Sequence, residues 1–124
     1  MGARNTVATA GAGFLRGVDR GLQSDDVTHA IFGARTQVLA GEMVATDVDD
    51  WLSGLLIGAE IRAARAWALA EAGDAARVRI IGDDNLVARY EAALARAGIS
   101  TERADRHAAA RGLWRIAERA GLLP

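Results

Sequence analysis

The sequence predicts an α/β fold that is rich in helix and contains a short parallel βαβα unit with an incomplete sheet. Two observations carry this prediction. Apolar residues recur at helical spacing through most of the chain, and two short, partly β-branched segments are each followed by a helix. A strand–helix–strand–helix order gives parallel strand pairs. Because two strands alone do not form a stable sheet, we expect this sheet to continue in other strands.

Three helices are predicted before the first strand. Their spans are residues 13–21, 26–40 and 47–72, and the third has the broadest apolar stripe. Gly21 is predicted to lie near the end of the first helix, and Gly41 to end the second. Residues 1–12 are small and weakly structured types, which indicates a flexible N-terminal segment ahead of the folded unit 13–124.

The βαβα unit begins with a strand over residues 77–81. A helix over 85–97, a weaker strand over 99–104 and a last helix over 106–120 follow it. The arginines of the last segment alternate with acids, which is typical of a solvated helix face rather than of a nucleic-acid patch.

Composition excludes several functions. The chain has 124 residues, a net charge of −1 and no cysteine, so thiol nucleophiles and cysteine-ligated metals are absent. All 15 basic residues are arginine, which removes lysine-based phosphate loops and Schiff-base chemistry. The near-neutral charge argues against nucleic-acid binding. No apolar run is long enough for a membrane span and no secretory signal pattern is visible, so a cytoplasmic protein is predicted.

The end of the first predicted strand is the strongest candidate ligand site. Ligands of open α/β sheets bind beyond the carboxyl ends of the strands. The glycine there would let a ligand approach the backbone, and the polar residues could accept hydrogen bonds from ribose or a base. The acidic pair would repel phosphate. A tight turn with an aspartate cap is the alternative, and the pattern alone favours it. The candidate residues are Gly82, Asp83, Asp84 and Asn85.

Two features of the third helix have both a structural and a functional interpretation. Gly54 and Gly58 lie one turn apart and form a flat strip, which fits close packing against another backbone better than a ligand site. Glu60 has no arginine three or four residues further on, so it is either a functional buried acid or a residue that finds solvent or a partner elsewhere in the fold.

Three other polar residues were weighed in the same way. Arg35 lies beside an apolar cluster and could hold a carboxylate, although a salt bridge is the commoner fate of such a residue. His29 and His107 have no visible partner for acid–base chemistry, and we expect both to be surface or capping residues.

Five segments, in the right order, resemble the family of 2-keto-3-deoxygalactonate kinases, also called 2-dehydro-3-deoxygalactonokinases. WLSGLLIGAEI at 51–61 resembles the family's "YLSGLLIG-E" helix. IIG at 80–82, followed by LVARYEAAL at 86–94, resembles its "LIG…L-ARY-AAL" strand and helix. Shorter similarities lie at 14–18, at 32–36, which resembles "FSVRT", and at 108–113.

This resemblance implies a two-lobed sugar-acid kinase related in fold to hexokinase and actin. Such enzymes transfer the γ-phosphoryl group of ATP, with Mg²⁺, to a hydroxyl of the sugar acid, here 2-keto-3-deoxygalactonate in galactonate breakdown. The chain matches only the C-terminal lobe, residues 13–124, which would hold the adenosine side of the nucleotide at residues 82–85. Arg35 matches the arginine of "FSVRT" and is a candidate for substrate binding.

The same resemblance places the catalytic groups outside this sequence. An Asp-Gly-Thr phosphate loop and the acids for Mg²⁺ belong to the N-terminal lobe, and no such loop occurs here. No catalytic base or metal ligand is therefore assigned, and the chain alone is expected to be inactive. The alternative from another class is a non-catalytic α/β interaction module. It would form a homo-oligomer through the Gly54/Gly58 helix or an open strand edge.

Overall fold

A computed structural model describes residues 11–69, 71 and 77–123 of the chain. Most of the predicted flexible segment, residues 1–10, lies outside the described residues. The described part contains five α-helices and two strands. In chain order they are α1 (Ala12–Gln23), α2 (Val27–Leu39), α3 (Val48–Ala64), β1 (Arg77–Ile80), α4 (Asp84–Arg96), β2 (Ser100–Arg103) and α5 (Ala108–Arg119).

The two strands form a parallel pair. Arg77 is in register with Ser100, and Ile80 with Arg103. Helix α4 connects the two strands, so the predicted βαβα order is confirmed. Within the described residues the sheet contains these two strands alone, as the prediction of an incomplete sheet anticipated.

Helices α1 and α3 pack at very short range through glycines on both sides. A Cβ placed on Gly17 would lie 2.0 Å from the carbonyl oxygen of Trp51, and one on Gly21 would lie 2.2 Å from that of Leu55. The close-packing interpretation of the α3 glycines is therefore confirmed. It also removes one route for the interaction module, because α1 covers the glycine face of α3 through which a second copy was expected to bind.

Gly21 lies two residues before the end of α1, as predicted. It is buried inside the helix, which continues to Gln23. The residue is small because α3 approaches it, and this requirement is invisible in the local sequence. Gly41 does follow the end of α2 as predicted, with φ at 74°, a left-handed conformation that glycine adopts without steric cost.

The third helix is shorter than predicted. The α-helix ends at Ala64, and a π-helical turn over Arg65–Leu69 follows. Arg65, at the start of this turn, donates a hydrogen bond of 2.6 Å to the carbonyl of Ala97. The side chain of Trp67 is 70% exposed rather than buried in the predicted stripe. The predicted span also includes residues 70 and 72, which lie outside the described part.

Two apolar cores hold the helices. The first joins α1, α3 and α4 and is flanked by the sheet residues Val78 and Ile80; the second joins α2 to α3. Helix α5 contributes no buried residue to either, and Leu113, Trp114 and Ile116 on its apolar side are all more than 60% exposed. Among the described helices, none has the length and apolar character needed to cross a membrane.

Candidate functional site

The carboxyl ends of both strands lie at one edge of the sheet. The amide of Ala104 donates to the carbonyl of Ile80 at 2.9 Å. The two segments that leave β1 and β2, called the chain exits below, therefore start side by side. From there one exit leads into α4 at Asp84, and the other leads into α5 at Ala108. Two helices therefore begin beside each other at the edge where ligands of parallel sheets bind.

A cavity of about 450 Å³, called the strand-end cleft below, lies between these two exits. Its volume falls within the range of about 300–1,000 Å³ typical of small-molecule sites. All four residues that the sequence singled out at this turn line it. The full lining is Ile81, Gly82, Asp83, Asp84, Asn85, Arg106 and Ala109.

Asp83 has the capping role that the alternative interpretation gave it. Its Oδ1 accepts a hydrogen bond of 3.0 Å from the amide of Leu86, so it is the N-cap of α4. Asp84 lies in the first helical turn and is exposed, as is Asn85. The turn thus starts the helix through Asp83 and presents two further polar side chains at the cleft.

Gly82 is not required by packing inside the chain. A Cβ built on it would approach Val87 no closer than 3.6 Å, which is an ordinary contact. A side chain at this position would therefore meet no close contact among the described residues.

Arg106 is the cleft residue that the sequence analysis missed. It was interpreted as part of a solvated helix face with mixed charges. The structure places it in the cleft wall together with the 82–85 turn. Ligands of open α/β sheets bind beyond the carboxyl ends of the strands, and this holds for β2 as well as for β1. Arg106 follows the end of β2 by three residues.

Arg35 does not line the strand-end cleft. It lies exposed on α2. The salt bridge expected as its commoner fate is not formed with any residue in the described part of the chain. The structure therefore brings four of the five candidate residues together and leaves Arg35 apart from them.

The start of α4 is braced against the other helices by Arg89. Its guanidinium donates a hydrogen bond of 2.7 Å to Asp50 of α3 and lies 5.3 Å from the ring centroid of Phe14 in α1. This brace lies between one and two helical turns from the turn that lines the cleft.

Glu60 finds a partner from elsewhere in the fold. The hydroxyl of Tyr90 donates a 2.5 Å hydrogen bond to its carboxylate, and this bond raises the pKa of Tyr90 to about 12. Glu60 is exposed, so the idea of a buried functional acid is wrong. His29 and His107 are exposed residues in the first turn and at the N-cap of their helices, as predicted.

The described residues offer no ligand set for a cation. Across residues 11–69, 71 and 77–123, no three His, Asp or Glu side chains converge as a metal site needs. The Mg²⁺ that the resemblance implies does not fit the residues of this part of the chain.

Comparison with known proteins decides the family. The sequence model of a family described as 2-keto-3-deoxy-galactonokinase matches residues 2–116. This chain belongs to the 2-keto-3-deoxy-galactonokinase family. It is also similar to the 2-dehydro-3-deoxygalactonokinase of Escherichia coli (strain K12), with 30% identity over 80 residues.

The match to the Escherichia coli kinase covers 64% of this chain and 26% of that relative. The resemblance read from the sequence is thereby confirmed at the level of the family. In this member of the 2-keto-3-deoxy-galactonokinase family, the strand-end cleft is the candidate ligand site.

Proposed function

We propose that this chain is the nucleotide-binding part of a sugar-acid kinase, acting with ATP on 2-keto-3-deoxygalactonate in the galactonate catabolism of the cytoplasm. The observation that carries the proposal is the strand-end cleft, found at the carboxyl edge of a parallel strand pair in a member of this kinase family. The proposed occupant is the adenosine portion of ATP.

The chemistry of the cleft suits a nucleoside. Ile81 and Ala109 supply apolar surface for a flat base. Asp84 and Asn85 present acceptors for ribose hydroxyls, and the Asn85 amide can also donate to a ring nitrogen. Because the Asp83 and Asp84 carboxylates would repel phosphate, the triphosphate is proposed to extend away from this turn.

Phosphoryl transfer depends on positioning ATP in line with the acceptor and on neutralising charge. In this proposal, the chain supplies the position of the nucleoside. The Mg²⁺ ligands and the catalytic base lie on a second lobe of the kinase, which closes over the cleft and excludes water. This division is supported by the 26% share of the Escherichia coli relative that the match covers. The exposed guanidinium of Arg35 is proposed to contact the substrate carboxylate.

Nucleotide binding tests the proposal directly. A titration of the chain with ATP, followed by chemical shifts of ¹⁵N-labelled amides, should move the signals of Gly82 and Asn85. Replacing Gly82→Trp should abolish these shifts while the fold remains intact, since Gly82 lines the cleft and a Cβ there makes only an ordinary contact with Val87. Gly33→Trp is the matched control, because Gly33 also faces open space but lies on α2.

Two results would contradict the proposal. The first is the absence of any ATP-dependent shift in the wild-type chain, and the second is equal ATP binding by both tryptophan variants. We also expect no turnover when the chain alone is mixed with ATP, Mg²⁺ and the sugar acid. Robust turnover would place the catalytic groups within this chain and overturn the proposed division between lobes.

A further inference from the structure

We infer that Arg106 binds the first phosphate of the nucleotide in the strand-end cleft and makes this cleft selective for nucleotides over nucleosides. The inference rests on the proposed function and deepens it. Arg106 is the one cationic residue of the cleft lining, which also contains the acids Asp83 and Asp84. The cleft therefore joins an anionic turn to a cationic side chain across a space of ligand size.

The neighbouring arginines are engaged in ion pairs, whereas Arg106 is not paired with any described residue. Arg103 makes two hydrogen bonds to Glu91, at 2.7 and 2.6 Å. Arg111 is bonded to Asp105. The guanidinium of Arg106 thus keeps its donors for a ligand.

The chain on both sides of Arg106 is held in place. Asp105 accepts a hydrogen bond of 2.9 Å from the amide of His107 through Oδ1, while its Oδ2 is bonded to Arg111. These bonds, the one from the His107 amide first, lower the pKa of Asp105. Arg106 therefore starts from a fixed backbone position, which reduces the entropy lost when it binds.

This arrangement selects a ligand with two different ends. The acidic turn accepts hydrogen bonds from hydroxyl or amino groups and repels anions. A guanidinium matches the oxygens of a phosphate and can form two parallel hydrogen bonds to it. A nucleoside carrying at least one phosphate has both ends, whereas adenosine has only the first.

The test compares ligands that differ by one phosphate. Adenosine and AMP are titrated into the full chain, and their dissociation constants are taken from amide chemical shifts. We expect AMP to bind about tenfold more tightly than adenosine, as a hydrogen bond between charged groups provides. In Arg106→Ala the two ligands should bind alike, with the adenosine constant unchanged, and Arg106→Lys should restore part of the difference.

Arg115→Ala is the matched control, since Arg115 is an exposed arginine of α5, the helix that follows Arg106, and does not line the cleft. It should retain the wild-type preference for AMP. If adenosine and AMP bind equally to the wild-type chain, or if Arg106→Ala keeps the preference, the role of Arg106 is overturned while the nucleoside site stands. If neither ligand binds, the proposed function fails as well. Competition by ribose 5-phosphate as strong as that by AMP would overturn the nucleotide as the ligand.

Discussion

The carbonyl oxygen of Phe14 in α1 lies against Gly54 of α3, where a Cβ would be only 2.0 Å away from it. One turn along, a Cβ on Gly58 would lie 2.4 Å from the carbonyl oxygen of Val18. Real Cβ atoms do not approach main-chain oxygens this closely. The backbones of α1 and α3 are therefore in direct contact, and this contact requires glycine at Gly54 and Gly58.

Gly54→Ala is expected to lower the free energy of unfolding by about 3 kcal/mol or more, because the added methyl must push two helices apart. Urea unfolding followed by circular dichroism measures the change. Gly33→Ala is the control, since Gly33 lies within α2 and faces open space. It should raise stability by about 0.5–1 kcal/mol through helix propensity. Equal effects of the two substitutions would contradict the packing described for Gly54.

Tyr90 is the only tyrosine of the chain, so its ionisation can be followed directly by absorbance near 295 nm. The hydrogen bond to Glu60 raises its pKa to about 12. In Glu60→Gln the midpoint should fall toward the ordinary value of about 10. Far-ultraviolet circular dichroism over the same pH range verifies that the chain stays folded. A wild-type midpoint near 10 would show that this hydrogen bond does not form in solution.

The same shift has a consequence for stability. Because the folded pKa of Tyr90 is raised, the stabilisation from this bond is fully present below the unfolded pKa of about 10 and is lost as the pH rises through about 12. Glu60→Gln should therefore flatten the alkaline part of the stability profile.

Acid should destabilise the chain through its ion-paired carboxylates. The hydrogen bond from Arg96 lowers the pKa of Asp19, and that from Arg103 lowers the pKa of Glu91. A lowered folded pKa gives stability that is present above the unfolded value and is lost as the pH falls through the folded one. The double variant Asp19→Asn, Glu91→Gln should unfold with a shallower pH dependence below about pH 4.5. The change should be small because the pairs are exposed, and an unchanged slope would contradict the assignment.

Arg89→Ala should cost about 1–2 kcal/mol, since it removes both the hydrogen bond to Asp50 and the contact with the Phe14 ring. Arg79→Ala is the comparison, because the Arg79 side chain is 65% exposed and, among the described residues, pairs only with Glu102. Its effect should stay within about 0.5 kcal/mol. Thermal or urea unfolding of the two variants separates these outcomes, and an equal effect would mean that Arg89 does not brace α4.

Local signals in the sequence predicted the elements and one wall of the strand-end cleft. The strand, glycine and acidic cap at residues 80–84 are contiguous, so their spacing alone locates the turn. The spacing of Gly54 and Gly58, one helical turn apart, likewise indicated that another backbone approaches α3 closely. What touches them, namely the backbone of Phe14 and Val18 in α1, depends on how two distant helices pair, and no single segment encodes that pairing.

The parts that escaped prediction are tertiary. Arg106 belongs to the cleft only because β2 lies parallel to β1 and delivers its exit to the same edge. The α-helix α3 ends at Ala64 and continues as a π-helical turn, beside a bond from Arg65 to the carbonyl of Ala97, although the apolar stripe continues in the sequence. Propensity and periodicity describe one segment at a time, and both of these features arise between segments.

Within the described residues, β1 and β2 each use one side for pairing, and the amides and carbonyls of the opposite sides face outward. Such groups form a template on which another extended peptide can be laid, hydrogen bond by hydrogen bond. A further strand would therefore extend the sheet by pairing with the outer side of β1 or of β2.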